Sequence, residues 1–456
     1  MNILIGIAIF LTLFLSDSLD VQIQSTTELL IGLCWVVVFG LLPPLFATVQ
    51  VLYTQLNASR PGDHFPNLHR QTTIHAMLWL AASIAFVTIL PWPEIVREFW
   101  QLNDYVLLDE CIILLPMLLS LLASWAIQFD YQSEGITAEN RLKEQIRFVG
   151  LRCRVYLAII LLPIAVMIFI KDLWPYLGNV SPTIATVTAI VILSLMLCLM
   201  PLMISLLWPN RSILENEGRT EMLQLCKQHR MSVKDIRIWD TQHQIVNALV
   251  AGILPKFRLL MMSDLLLKSF PRHELKAVLS HEAGHVRMNH LPIRIGFLLL
   301  PALAMVCLES DHNQTLQSLI NATSTQISFR INASAILGLV FVGYVFAITC
   351  WLSRNMEFEA DLYAVGAFGS VSKGNDDKWP NAAQAMSDAL LRFAKENPDQ
   401  LTRRSMTHPS LMDRIDVIKR FVQEPGSADH FRKKFVMKQI VIASLIFAIT
   451  TILVAV

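Results

Sequence analysis

The chain reads as a mainly α, polytopic membrane protein with a small α+β domain at a water-facing side, and three observations predict this. Of its 456 residues, 54% are hydrophobic and only 16% charged, too apolar a balance for a soluble globular chain. About nine apolar segments recur along it, most of them near the roughly 20 residues a helix needs to cross a bilayer. Two stretches between these segments change composition, and one of them contains His281-Glu282-Ala283-Gly284-His285.

The segments fall at about residues 3–15, 29–52, 75–91, 107–128, 155–170, 183–208, 293–308, 335–352 and 437–456. Several contain Pro, which membrane helices tolerate. Segment 3–15 is short enough for a signal-peptide core, but no Lys or Arg precedes it and Ser16-Asp17-Ser18 is a poor cleavage site, so it reads as a retained helix. Basic residues set the orientation. Arg60 and Arg70 lie in one loop and Arg141, Lys143, Arg147, Arg152 and Arg154 in another, whereas the alternate loops hold none, Arg97, Lys171 at an edge, and Arg330. A cytoplasmic amino terminus followed by nine crossings reproduces this alternation and places residues 209–292 and 353–436 in the cytoplasm.

The predicted organisation is therefore a membrane region of about six helices (1–208), a first catalytic half (209–292), a transmembrane hairpin (293–352), a second catalytic half (353–436) and a last membrane helix (437–456). A net charge of +1 with scattered basic residues excludes a nucleic-acid-binding face. The expected surroundings are a lipid bilayer, in a bacterial inner membrane rather than the endoplasmic reticulum. Asn-x-Ser/Thr sequons at Asn313, Asn321 and Asn332 fall in a non-cytoplasmic loop, but Asn57 and Asn210 match on the other side, so the pattern carries little.

Within 209–292 a polar helical run (Leu214 to His229) precedes strand-like pieces at Asp235 to Trp239, Ile245 to Val250 and Phe257 to Met262. A helix follows near Pro271, with Leu275, Val278 and Leu279 as its apolar face. Residues four apart share a helix face, so His281 and His285 can grip one zinc ion while Glu282 lies beside the water to be activated. Ala283 and Gly284 are small enough for another element to approach this turn closely.

A catalytic zinc site needs three protein ligands and one open position. Met288 and Leu291 stand where a metzincin pattern requires Gly and His, and Arg272, Lys276, Arg287 and Asn289 exclude a site inside a membrane helix. A distant Glu remains, and Glu357-Phe358-Glu359-Ala360-Asp361 supplies it. Segments seven and eight form a hairpin, so Pro292 and Leu352 emerge at one face and bring His285 and Glu357 together. Asp361, one turn beyond Glu357, can accept the outer N–H of a ligand imidazole.

Taken together, Val278-Leu279-x-His281-Glu282-x-Gly284-His285, His290, Ser353-Arg354, Glu357-Phe358-x-Ala360-Asp361, Asn247-Ala248 followed by Gly252, and Thr407-His408-Pro409-Ser410 with Arg414 resemble the integral-membrane gluzincins of metallopeptidase family forty-eight, the HtpX and CAAX prenyl endopeptidase family. The resemblance covers roughly residues 213–420. It implies a zincin-like domain holding one zinc ion through His281, His285 and Glu357, with Glu282 as general base and Asp361 behind a ligand. It also implies that Asn247 and Ala248 pair with an extended substrate backbone, and that His408 stabilises the oxyanion with Arg414 supporting the same pocket.

Other chemistry-bearing residues read as structural. His290, His273 and His243 read as helix-surface or loop residues, because three ligands already fill the protein's share of the sphere. Asp109 and Glu110 lie at the outer end of segment four, where charge reaches the interface. The seven cysteines lack Cys-x-x-Cys spacing and read as reduced packing residues. Two functions remain: a membrane-embedded zinc endopeptidase acting on a peptide or membrane-protein substrate, or a signalling receptor or scaffold whose zinc site is structural or self-cleaving. A scaffold has no use for Glu282, which favours the first.

Overall fold

The computed structural model describes residues 2–18, 25–57, 68–88, 90, 92–129, 138–177, 182–213, 217–243, 245–311, 333–368, 378–396 and 398–455. Arg60, Arg330, Asn313, Asn321 and Asn332 lie outside these residues. Each of the nine apolar segments falls on a helix: α1 (Asn2–Ser18), α2 (Thr26–Asn57), α3 (Leu68–Thr88), α5 (Leu108–Gln128), α7 (Ala158–Leu173), α8 (Pro182–Leu207), α12 (His290–Asp311), α13 (Ala333–Ala364) and α16 (Gly426–Ala455). The short α4 (Trp92–Glu94) and the polar α6 (Ala138–Arg152) complete this set. Among the described residues, five helical stretches are long and apolar enough to cross a membrane, or six if Ile74–Thr88 and Trp92–Phe99 form one broken span. That is the pattern of a multi-pass membrane protein.

The described parts of residues 1–193 and 310–342 gather into one compact unit. Its core interleaves α1, α2, α3 and α5 through Ile5, Ile9, Val36, Trp79, Phe86, Met117 and Trp125. Two indoles satisfy themselves on main-chain carbonyls, Trp79 Nε1 donating to Met117 O at 2.9 Å and Trp92 Nε1 to Ile113 O at 3.2 Å. Such bonds spare a polar N–H from lying unpaired in an apolar interior. Asp109 and Glu110 differ from the expectation. Both are buried: Arg97 pairs with Asp109 at 2.8 Å and donates to Ser16 O at 3.0 Å, and Lys171 Nζ lies 4.0 Å from Glu110 Oε1.

The described parts of residues 194–309 and 343–456 form the second unit. Here a four-stranded sheet runs β1 (Asn210–Ser212), β2 (Asp235–Trp239), β4 (Leu259–Ser263), β3 (Ala248–Ala251). Central β4 is parallel to β2, with Ile236 opposite Leu260, and antiparallel to β3, with Val250 opposite Leu260. All of β4 is buried, which explains its unbroken apolar run. Beside the sheet pack α9 (Glu217–Gln228), α10 (Asp264–Ser269) and α11 (Arg272–Arg287). The helix expected from Leu214 begins at Glu217 among the described residues, and the strand expected from Ile245 begins at Ala248.

Local chemistry sets the sheet's ends. Ser263 accepts Leu266 N–H as the cap of α10. Gly252 leaves β3 at φ +110°, where a Cβ would meet the Arg258 backbone at 3.2 Å, so the chain turns there only with glycine. On the far side of α11 lie α14 (Lys378–Glu396) and α15 (Leu411–Gln423), the latter capped by Ser410. Buried Glu274 of α11 receives a two-bond grip from Arg392 of α14.

Candidate metal centre

Helix α11 buries Ala277, Val278, Leu279 and Ala283, and His281 and Glu282 are buried among them, with the half-buried His285 one turn beyond His281. The close approach at Gly284 brings α13 against this turn: a Cβ on Gly284 would stand 3.0 Å from Ala360 Cα and 3.2 Å from Ala360 O. Glu357 and Asp361, one turn apart on α13, are thereby set beside the two imidazoles.

His281 Nε2 and His285 Nε2 lie 3.2 Å apart. Glu357 Oε2 is 3.7 Å from the first and Oε1 is 3.6 Å from the second. One donor atom from each of His281, His285 and Glu357 lies within 4.8 Å of the others. A tetrahedral ion with bonds of about 2.0–2.1 Å separates its ligands by roughly 3.3 Å, so this donor set fits zinc, with a fourth position for water. The outer nitrogens fit too: His281 Nδ1 is 2.9 Å from Asp361 Oδ1, which leaves Nε2 free to ligate.

Charge around the centre is balanced by Arg414 of α15. Its Nε and Nη2 donate to the two Asp361 oxygens at 2.7 and 2.6 Å, and its Nη1 lies 3.2 Å from Glu357 Oε2. Burial lowers His285 well below the ordinary imidazole range, with His281 adding to the effect, so His285 is neutral at physiological pH and able to ligate. Burial chiefly pushes the Glu282 carboxyl up to about 7.

His408 lies outside the core of the cluster. It is 59% exposed, with Nδ1 3.4 Å from Glu357 Oε1, and Ser405 Oγ accepts its backbone N–H at 2.8 Å. Ala248 opens β3, the strand at the free edge of the sheet. Asn247, one residue earlier, is tied to the end of β4: its N–H donates to Ser263 Oγ at 3.0 Å and its carbonyl accepts Ser263 N–H at 2.9 Å.

Residues 215–422 match the model of peptidase family M48. This stretch is a peptidase family M48 domain. The resemblance read from the motifs is thus borne out, over bounds close to those the motifs span. A protease named HtpX from Histophilus somni (strain 2336) is 29% identical over 191 aligned residues, 38% of this chain and 62% of that protein. The crystal structure of S. mikatae Ste24p is 16% identical and is covered along 100% of its length by 87% of this chain, with a TM-score of 0.47.

One expectation is corrected inside the M48 domain. His290 is not a surface residue: it is 2% exposed, with Nδ1 2.7 Å from His285 Nδ1 and Nε2 3.0 Å from Glu359 Oε2. Glu359, buried as well, had no reading of its own. The available signal was a second His five residues after His285, opposite an acidic helix face. His273 and His243 are largely exposed, as expected of them.

Proposed function

We propose that the protein is a membrane-embedded zinc endopeptidase that hydrolyses peptide bonds, holding one zinc ion through His281, His285 and Glu357. The observation that carries this reading is the convergence of those three donors beside the buried Glu282. A bound zinc ion supplies Lewis-acid polarisation of the scissile carbonyl and lowers the pKa of water towards about 7.

Glu282 accepts a proton from the attacking water and delivers it to the leaving amine. A carboxyl raised to about 7 is suited to both halves of that transfer near neutrality. The free edge of β3 takes the substrate backbone as an added strand through Ala248, and Asn247, whose own N–H and carbonyl are bonded to Ser263, contributes its exposed side chain. His408, exposed beside Glu357, donates to the oxyanion, for which one donor is typically worth about 3 to 4 kcal/mol. Asp361 holds His281, and Arg414 neutralises Asp361 and Glu357 together.

The basic-residue pattern supports a cytoplasmic catalytic face with about nine crossings, in a bacterial inner membrane. Substrates in that setting are misfolded membrane proteins or lipid-modified peptides, so the role is quality control or peptide processing. The test compares purified parent and Glu282→Gln on casein and on a model membrane substrate, with the termini of released peptides mapped. The parent is expected to cut and the variant to leave the substrate intact. Equal results from both, with zinc bound, would overturn the proposal in favour of a receptor or scaffold.

A further inference from the structure

We propose that His290 is a positioning residue for the metal centre: held by Glu359 and Arg432, it fixes the tautomer and ring orientation of His285. This rests on the zinc endopeptidase reading, and the experiment below separates the two.

His285 directs Nε2 towards His281 and Glu357, so as a neutral ligand it carries its hydrogen on Nδ1. In a buried site that hydrogen needs an acceptor. The nitrogen 2.7 Å away is His290 Nδ1. It can accept only when it bears no hydrogen, which places the His290 hydrogen on Nε2. Glu359 Oε2 is 3.0 Å from that Nε2 and accepts it. Arg432 Nε, on α16, stands 3.3 Å from Glu359 Oε1. Each group leaves its neighbour a single hydrogen-bonded arrangement.

The backbone is shaped for this contact. Asn289 sits at φ 56°, a left-handed conformation that asparagine tolerates better than most residues. The chain thereby turns between α11 and α12 and sets His290 against His285. An intermediary is needed because Glu359 lies two residues from Glu357 on α13, and such residues do not share a helix face. Asp361 reaches His281 directly, whereas Glu359 reaches His285 only through an imidazole.

The test measures zinc dissociation constants of the full-length protein in detergent, by competition with a chromophoric chelator, and the visible spectrum after cobalt substitution. His290→Leu is expected to weaken zinc about 10- to 100-fold and to alter the cobalt bands. His290→Asn places an accepting amide oxygen near the lost Nδ1 and is expected to recover most of the affinity and the parental spectrum. Glu359→Met, which acts from α13 and does not depend on His290→Leu folding, is expected to weaken zinc in the same direction. Parental affinity and spectrum in His290→Leu or Glu359→Met, or an Asn variant as weak as the Leu variant, would overturn the relay while leaving the peptidase reading intact. A parent that binds no zinc would sink both.

Discussion

Gly284 of α11 and Ala360 of α13 meet backbone to backbone, with 3.0 Å from an added Gly284 Cβ to Ala360 Cα. This crossing sets the height of Glu357 and Asp361 over the two imidazoles. Gly284→Ala is expected to lose stability although alanine favours helix by about 1 kcal/mol, since overpacking against rigid backbone costs about 1–3 kcal/mol. Gly284→Val should lose more and also weaken zinc. Thermal melting in detergent, with and without added zinc, checks both. A melting point above the parent's for Gly284→Ala would mean that α13 yields at the contact.

Arg414 is the cation that the buried carboxylates Asp361 and Glu357 share. Removing one partner of a buried charge network typically costs about 3–5 kcal/mol, so Arg414→Met should destabilise the domain severely and abolish proteolysis. Arg414→Lys keeps the charge but cannot make the paired bonds to Asp361, and an intermediate loss is expected. Denaturation midpoints and kcat/KM for the two variants form the comparison. Parental values for Arg414→Lys would refute a role for the forked geometry.

Glu282 sets the acid limb of activity. Its base form must be free to take a proton from water, and burial raises its folded pKa to about 7, while a dication held nearby lowers it. Activity is therefore present above that pKa and is lost as the pH falls through it, so kcat/KM should drop about tenfold per pH unit below a limb at or under about 7. A pH–rate profile with saturating zinc measures this. A flat profile from pH 8 to pH 4 would remove Glu282 from the proton transfer.

Ala248 tests the strand-addition idea. Asn247 pairs with Ser263 of β4, and antiparallel ladders alternate, so the Ala248 N–H faces the free edge. Ala248→Pro deletes that donor without deleting a ladder bond, a substitution edge strands tolerate. One backbone hydrogen bond is worth about 0.5–1.5 kcal/mol, so kcat/KM for a peptide substrate should fall by up to about tenfold while zinc affinity stays parental. Unchanged peptide kinetics would place the substrate elsewhere.

Much of this molecule was legible from local pattern. Apolar runs marked the membrane helices because hydropathy and length alone satisfy a bilayer. His281, Glu282 and His285 shared a face because helix geometry is periodic, and β3 and β4 announced themselves by β-branched and apolar runs between turn residues. Even the meeting of His285 with Glu357, 3.6 Å apart, was an expectation of the sequence motifs. Apart from the expected pairing of Asp361 with a ligand imidazole, the tertiary structure alone decided which buried polar groups pair. His290 and Glu359 are 69 positions apart and Arg414 and Asp361 are 53 apart, so no periodicity links them. Arg97 likewise pairs with a buried Asp109 where its sequence position suggested an interface. A buried donor or charge must find a partner in whichever element packs against it, and the identity of that element is a property of the fold.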